Sequence, residues 1–341
     1  MDIRRIYSTD KRAMAEVIAL LEQEGISLDK NLDYTLGLYD EDDHLAATGS
    51  FYRNTLRCLA VDSAHQGEGL MAVVVSRLME ELFARGQHHL FVYTKRTAAQ
   101  SIAALGFYEI AATDKVAFLE NRRTAFRDYV KSLSRPDHTP EKVGAIVMNA
   151  NPFSLGHLYL TETAAAACDA LHLFMVSEDV SEFPYQVRER LILEGTQHIP
   201  HVYHHSTGPY LISSATFPSY FIQESEALTL AQARLDAQVF GRIARELHIT
   251  DRFVGEEPLS PATHLYNQAM AQELPREGIA LTILKRKTDN GTDPISATRI
   301  RRLLKEGQLE ALRPLVPETT YAFLISEEGL KIAEKMRMKK E

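Results

Sequence analysis

The stretch "AIVMNANPFSLGH" spans Ala145 to His157. Its apolar start suits a buried strand, and Asn149, Asn151 and Pro152 then stop it, because proline lacks an N–H and asparagine favours turns. Gly156 and His157 stand where the helix "LYLTETAAAAC" should begin. A strand passing through a short turn straight into a helix opens a β–α unit, and the alternation continues downstream. Strands are predicted at Val143–Met148, Leu171–Val176, Arg252–Val254 and Ala280–Ile283, with helices between them. That pattern predicts a doubly wound parallel sheet, and an α/β fold class for the chain.

The turn also carries chemistry. Ligands of such sheets bind at the carboxyl ends of the strands, where helix N-termini bring positive dipole ends and free N–H groups. That dipole disfavours protonation of His157, whose ring is then a donor for a phosphate oxygen gaining charge. Gly156 gives the backbone room to approach a ligand. An ordinary surface histidine beside a helix cap is the competing explanation. A second segment, "ISATRIRRLL" (Ile295 to Leu304), weighs against it. Ser296 and Thr298 offer cap hydroxyls there, and Arg299 and Arg301 put cations in the first turns of another helix. Alone, this would be a capped amphipathic helix with a basic face. Two such helix starts on one alternating unit suggest a shared triphosphate.

Upstream, the order reads helix, three strands, a long helix, a strand, a short helix and a final strand, "FYEIAATDKVAFLE", which is an α+β pattern. Between strand and long helix lies Gln66-Gly67-Glu68-Gly69, a turn that can seat a pyrophosphate or simply reverse the chain. The segment Ser132 to Gly144 holds two prolines and marks the seam. The expected division is residues 1–131, a linker at 132–142, and residues 143–341.

At 341 residues the chain exceeds one typical core. A net charge of -8 argues against general nucleic-acid binding. No apolar run reaches the roughly 20 residues of a membrane span. The polar start, patterned as folded protein, suggests no signal peptide, so a cytoplasmic location is expected. Cys58 and Cys168 sit apart among apolar residues and are expected to be buried thiols. His198, His201, His204 and His205 cluster, but strand alternation would put His201 and His204 on opposite faces, and no metal site is expected.

The first half resembles the GNAT acetyltransferases, in the Gln-Gly-x-Gly turn between strand and long helix and in the late Gly106-Phe107-Tyr108. The resemblance implies that Gln66, Gly67 and Gly69 grip the pyrophosphate of a coenzyme-A-like arm. No general base stands out, so binding without catalysis is as open as transfer. The second half resembles the nucleotidylyltransferase superfamily. Its two signature turns are matched by Ser154-Leu155-Gly156-His157 and by Ile295-Ser296-Ala297-Thr298-Arg299-Ile300-Arg301, with serine replacing the usual first histidine or threonine. Nearly the whole chain is similar to the citrate lyase ligase family, through "NANPFSLGHLYL", "VSEDVSEFPYQVRERL", "TFPSYFIQ", "RFVGEEPLSPATHLYN" and "DPISATRIRRLL".

That resemblance implies an ATP-dependent enzyme. It acetylates the thiol of a dephospho-coenzyme-A-derived arm on the citrate lyase acyl carrier subunit, through acetyl-adenylate, with acetate as substrate and Mg²⁺ beside the ATP. His157 and Arg301 would be its catalytic residues. Asn151, Phe153, Ser154, Gly156, Gly255, Lys285, Ser296 and Thr298 would surround the nucleotide, and Ser154 would bond phosphate through its hydroxyl. Glu256 and Glu257, after Gly255, fit either a ligand site or a plain turn. Arg188 is expected at the surface, with phosphate contact as the other option. Two other functions stay open: a nucleotidyltransferase of cofactor metabolism, and a regulator that binds nucleotide and acyl carrier without turnover.

Overall fold

The computed structural model describes residues 1–211, 217, 225–256, 261–289 and 293–338, with side chains at 225 and 261–263 left aside. Glu257 and most of "TFPSYFIQ" lie outside the described residues. The chain divides into two units, one formed by Met1–Asp128 with Phe217–Gln238, the other by Tyr129–Thr216 with Val239–Glu341. The segment 217–238, expected in the second half, thus groups with the first unit. Within that unit the Phe217 ring meets Tyr93 edge-on at 5.6 Å, and Arg234 comes within 3.9 Å of Asp114.

The first unit contains β1 (Asp2–Ile6), α1 (Lys11–Gln23), β2 (Tyr34–Tyr39), β3 (Leu45–Tyr52), β4 (Thr55–Val61), α2 (Leu70–Ala84), β5 (Phe91–Lys95), α3 (Ala99–Ala104), β6 (Tyr108–Ala112) and β7 (Val116–Glu120). Its sheet order is β1-β2-β3-β4-β5-β7-β6, antiparallel except for β4 beside β5. The single strand expected over "FYEIAATDKVAFLE" is instead the hairpin β6–β7, turned at Thr113-Asp114-Lys115. There the Thr113 hydroxyl accepts the Lys115 and Val116 N–H groups. β1 escapes sequence patterning because four of its five residues are exposed.

Helix α1 starts on Asp10, whose carboxylate accepts two N–H groups of the first turn, and buries Val17, Leu20 and Leu21 with Ile6, Cys58 and Ala60. Helix α2 buries Leu70, Val74, Leu78 and Leu82 in a separate cluster with Leu36, Phe51, Leu56 and Val92. Leu56 and Cys58 share strand parity yet belong to different clusters. The register slips between Thr48 and Ser50 opposite them, and Cys58 has φ +52°, so a bulge re-aims the strand. β4 pairs with β5 only through Thr55–Phe91 and Leu56–Val92, and past these residues the two strands part.

Helix α4 (Ala125–Ser132) leads into β8 (Val143–Met148), α5 (Leu155–Ala166), β9 (Ala170–Met175), α6 (Tyr185–Thr196), β10 (Val202–Ser206) and α7 (Ser225–Leu247). Then follow β11 (Asp251–Gly255), α8 (Pro261–Glu273), β12 (Ala280–Leu284), the short pair β13 (Thr288–Asp289) and β14 (Asp293–Pro294), α9 (Ala297–Lys305), α10 (Glu318–Leu324) and α11 (Glu327–Met338). The expected doubly wound sheet is present: its order is β10-β9-β8-β11-β12 and every pair is parallel. β8 is the switch strand, with β9 on one side and β11 on the other, so a crevice opens at its carboxyl end. Beneath lie Ile146, Phe153, Leu173, Leu191, Ile300, Leu304 and Leu324 in one apolar core.

Candidate active site

Three strand exits and two helix starts meet above β8. Ser154 is the N-cap of α5, extended at φ -128° and ψ 166°, and its Oγ accepts the His157 N–H at 3.3 Å. His157 reaches back, its Nδ1 accepting the Ser154 N–H at 3.1 Å and lying 2.8 Å from Ser154 Oγ. The Ser154 hydroxyl, expected to bond phosphate, is buried and engaged by the His157 N–H and ring, and the histidine is itself part of the cap. The cap also fixes the tautomer: a main-chain N–H can only donate, so Nδ1 is bare and Nε2 carries the proton. Burial first, and the Arg286 charge second, push the His157 pKa down to about 4, which keeps the ring a neutral donor.

Phe153, expected beside the nucleotide, is 0 % exposed. It stacks under His157 at 5.8 Å and lies against Gly195 on α6, where a Cβ would come within 2.5 Å of its ring. Phe153 is therefore the floor of the site, apolar enough to be drawn into the core. At Gly156 a Cβ would be 3.4 Å from the Ile295 carbonyl, an ordinary contact distance.

That carbonyl belongs to the second helix start. Ser296 caps α9 by accepting the Arg299 N–H at 3.2 Å, which leaves its O–H free to donate. From α9, Arg301 Nη1 donates to the Asn151 carbonyl at 2.6 Å, and Nη2 donates to Thr298 Oγ1 at 3.1 Å. Burial lowers the Arg301 pKa and Glu182 opposes it. Asn151 Oδ1 accepts the Phe183 N–H at 3.0 Å. Arg301 is thus seated on the same turn as His157, whereas the exposed Thr298 faces outward.

The exits of β11 and β12 complete the rim. A Cβ on Gly255 would meet nothing within 4 Å, and its carbonyl is held by Asn267 Nδ2 at 3.2 Å, a partner that nothing in the sequence pattern marked. Lys285 is exposed. The cation drawn inward is its neighbour Arg286, whose Nε donates to the Glu256 carbonyl at 2.8 Å and whose charge bears on His157.

Arg188 is buried and bonds main-chain and amide oxygens, which excludes it from phosphate contact. The clustered histidines have separate partners: His205 meets His172 at 2.8 Å, His204 meets Thr196 at 2.8 Å and His198 meets Glu162 at 3.4 Å. Burial pushes the Cys58 thiol up to about 12 and raises Cys168, so neither is a ready nucleophile.

In the first unit, Gln66, Gly67, Glu68 and Gly69 are exposed ahead of α2, beside the ends where β4 and β5 part. Gly67 and Gly69 have φ +91° and +77°, and nothing lies within 4 Å of a Cβ at either. Side chains would strain this backbone, and glycine leaves its N–H groups uncovered. Arg96, just past β5, pairs with Glu109 on β6.

Fold and site together define a two-part α/β enzyme, in which an acetyltransferase-like unit is joined to a parallel-sheet unit that gathers an imidazole and an arginine on one turn. The family model for GNAT acetyltransferases matches residues 1–111, and that for the citrate lyase ligase C-terminal domain matches residues 143–324. Three curated relatives are named citrate (pro-3S)-lyase ligase. That of Escherichia coli strain K12 is 37% identical over 326 residues, covering 94% of this chain and 92% of its own. That of Klebsiella pneumoniae is 39% identical over 322 residues, covering 93% and 94%. That of Haemophilus influenzae is 34% identical over 331 residues, covering 95% and 98%. The chain belongs to the citrate lyase ligase family.

Proposed function

We propose that this enzyme recharges citrate lyase, using ATP and acetate to acetylate the thiol of the arm on the lyase acyl carrier subunit. In the first step an acetate oxygen attacks the α-phosphorus of ATP, and the bond to pyrophosphate breaks, giving acetyl-adenylate. Such chemistry needs placement and charge stabilisation more than covalent help. His157 donates from Nε2 to an α-phosphate oxygen. Arg301, Thr298 and Arg286 hold the departing pyrophosphate, and open Gly255 lets the nucleoside lie close to the strand end. In the second step the arm's thiolate attacks the acetyl carbon and AMP leaves. The turn at Gln66, Gly67 and Gly69 holds the pyrophosphate of the arm, and the parting of β4 and β5 accepts its slender chain.

Mg²⁺ enters as the companion of the triphosphate. Among the described residues no group of three or more His, Cys, Asp or Glu side chains could hold a metal ion. Likewise, no helix among those residues is long and apolar enough to cross a membrane. ATP and a free thiol as co-substrates suit a cytoplasmic setting.

One observation carries the proposal: the Arg301 guanidinium, from a helix some 140 residues downstream, is bonded to the Asn151 carbonyl in the turn that presents His157. The experiment is incubation with ATP, Mg²⁺ and acetate, with and without deacetylated citrate lyase. Acetate-dependent pyrophosphate and AMP, with thioester only when the lyase is present, are the expected products. Pyrophosphate release with phosphopantetheine or nicotinamide mononucleotide in place of acetate would refute the assignment.

A further inference from the structure

Arg188, on α6, is a cation sealed in the second unit at 1 % exposure. Among the described residues every hydrogen bond it makes goes to a carbonyl or amide oxygen. Nε donates to Phe183 O at 3.0 Å. Nη1 donates to Asn149 O at 3.0 Å, Asn149 Oδ1 at 2.7 Å and Val176 O at 2.7 Å, and Nη2 donates to Glu178 O at 2.5 Å. Burying a guanidinium without a bonded carboxylate is costly unless its donors are satisfied, and this fan satisfies them. The acceptors come from three places: the exit of β8, the exit of β9, and the loop before α6. Arg188 therefore buckles together the backbone from which the site is made.

The buckle leads to a reacting group. Arg188 holds Phe183 by its carbonyl, and Phe183 in turn donates its N–H to Asn151 Oδ1 at 3.0 Å. Arg188 also holds Asn149, two residues before Asn151. The Asn151 carbonyl then receives Arg301 Nη1 at 2.6 Å. We propose that Arg188 is a positioning residue for adenylation, which sets the direction of the Asn151 carbonyl and through it the guanidinium of Arg301. The proposal rests on the adenylation chemistry above. Lysine cannot replace Arg188, because a compact ammonium has three donors on one atom and cannot span acceptors on three segments.

The test is a double-mutant cycle in the full chain, with Arg188→Lys, Arg301→Lys and the pair, followed by acetate-dependent pyrophosphate release. Arg188→Lys is expected to lower kcat about 100-fold, the usual scale for an ångström-sized misplacement, with KM for ATP little changed. If Arg188 acts through Arg301, the double variant loses no more than Arg301→Lys alone, to within about threefold. Should Arg188→Lys not fold, Asn149→Ala, which removes the Oδ1 acceptor, enters the same cycle with the same expected coupling. Losses that multiply in the double variant, or wild-type kcat in Arg188→Lys, overturn the positioning role while leaving adenylation intact. A wild-type chain that releases no pyrophosphate with ATP and acetate overturns both.

Discussion

At the scale of single residues, the site turns on one imidazole with a fixed tautomer. Because the Ser154 N–H occupies Nδ1, His157 offers a proton only from Nε2. Replacing His157 with Ala removes that donor and one half of the helix cap. The expected loss in the rate of pyrophosphate release is about 10²- to 10³-fold, the scale for one transition-state donor. A steady-state assay at saturating ATP checks it. Gly195 is a second exacting position, since a Cβ would stand 2.5 Å from the Phe153 ring. Gly195→Ala should destabilise the chain by about 1–3 kcal/mol through overpacking and tilt the floor under His157. Urea unfolding alongside turnover reads both, and an unchanged midpoint would dismiss the overpacking argument. His157 and Arg301 could be picked out from sequence because each sits in a short local pattern at a helix start. Gly195, Asn267 and Arg286 could not, since what matters about them is a neighbour remote in the chain or a side chain's direction past a strand end.

At the scale of elements, the alternating runs of the second half are legible because parallel strands buried on both faces read as compact apolar words. The strand β10 was visible only as a histidine-rich segment, and β1 is too exposed to show a pattern. The hairpin β6–β7 hides inside one continuous apolar stretch because a threonine hydroxyl makes its turn in place of Gly or Pro. The bulge at Cys58 was equally hidden, as a positive φ at cysteine has no compositional mark. The turn before α2 invites a test of the arm's seat. Gly69→Val strains a backbone at φ +77° and sets a branched side chain over the exposed N–H groups. KM for the deacetylated carrier should rise about tenfold, on the order of 1.4 kcal/mol in binding. Acetyl-adenylate formation in the absence of carrier should be unchanged, and loss of that half-reaction would count against the division of labour between the units.

At the scale of the whole molecule, acidity should loosen the second unit before it silences the site. Burial pushes His172 down to about 4, with Arg135 adding to the effect, and pushes His205 down to about 3, with His172 and His204 adding. Both folded values lie below the ordinary histidine value near 6.5. The unfolded chain therefore takes up protons first as pH falls. Stability is full above about pH 6.5 and declines as pH drops toward 4. Urea midpoints at pH 7.5, 6 and 5 should fall in that order, and a flat series would contradict the pairing of neutral rings across β9 and β10. His157 follows the same sign, so its ring stays uncharged through this range.

The path of the chain has a consequence of its own. The polypeptide leaves the first unit after Asp128, returns to it at Phe217, and departs again at Gln238 in the middle of α7. Neither unit is therefore a single unbroken stretch of chain. A recombinant exchange of acetyltransferase-like modules between relatives would have to carry two separate pieces, and a graft ending at the apparent seam would strip Tyr93 of the aromatic edge that covers it.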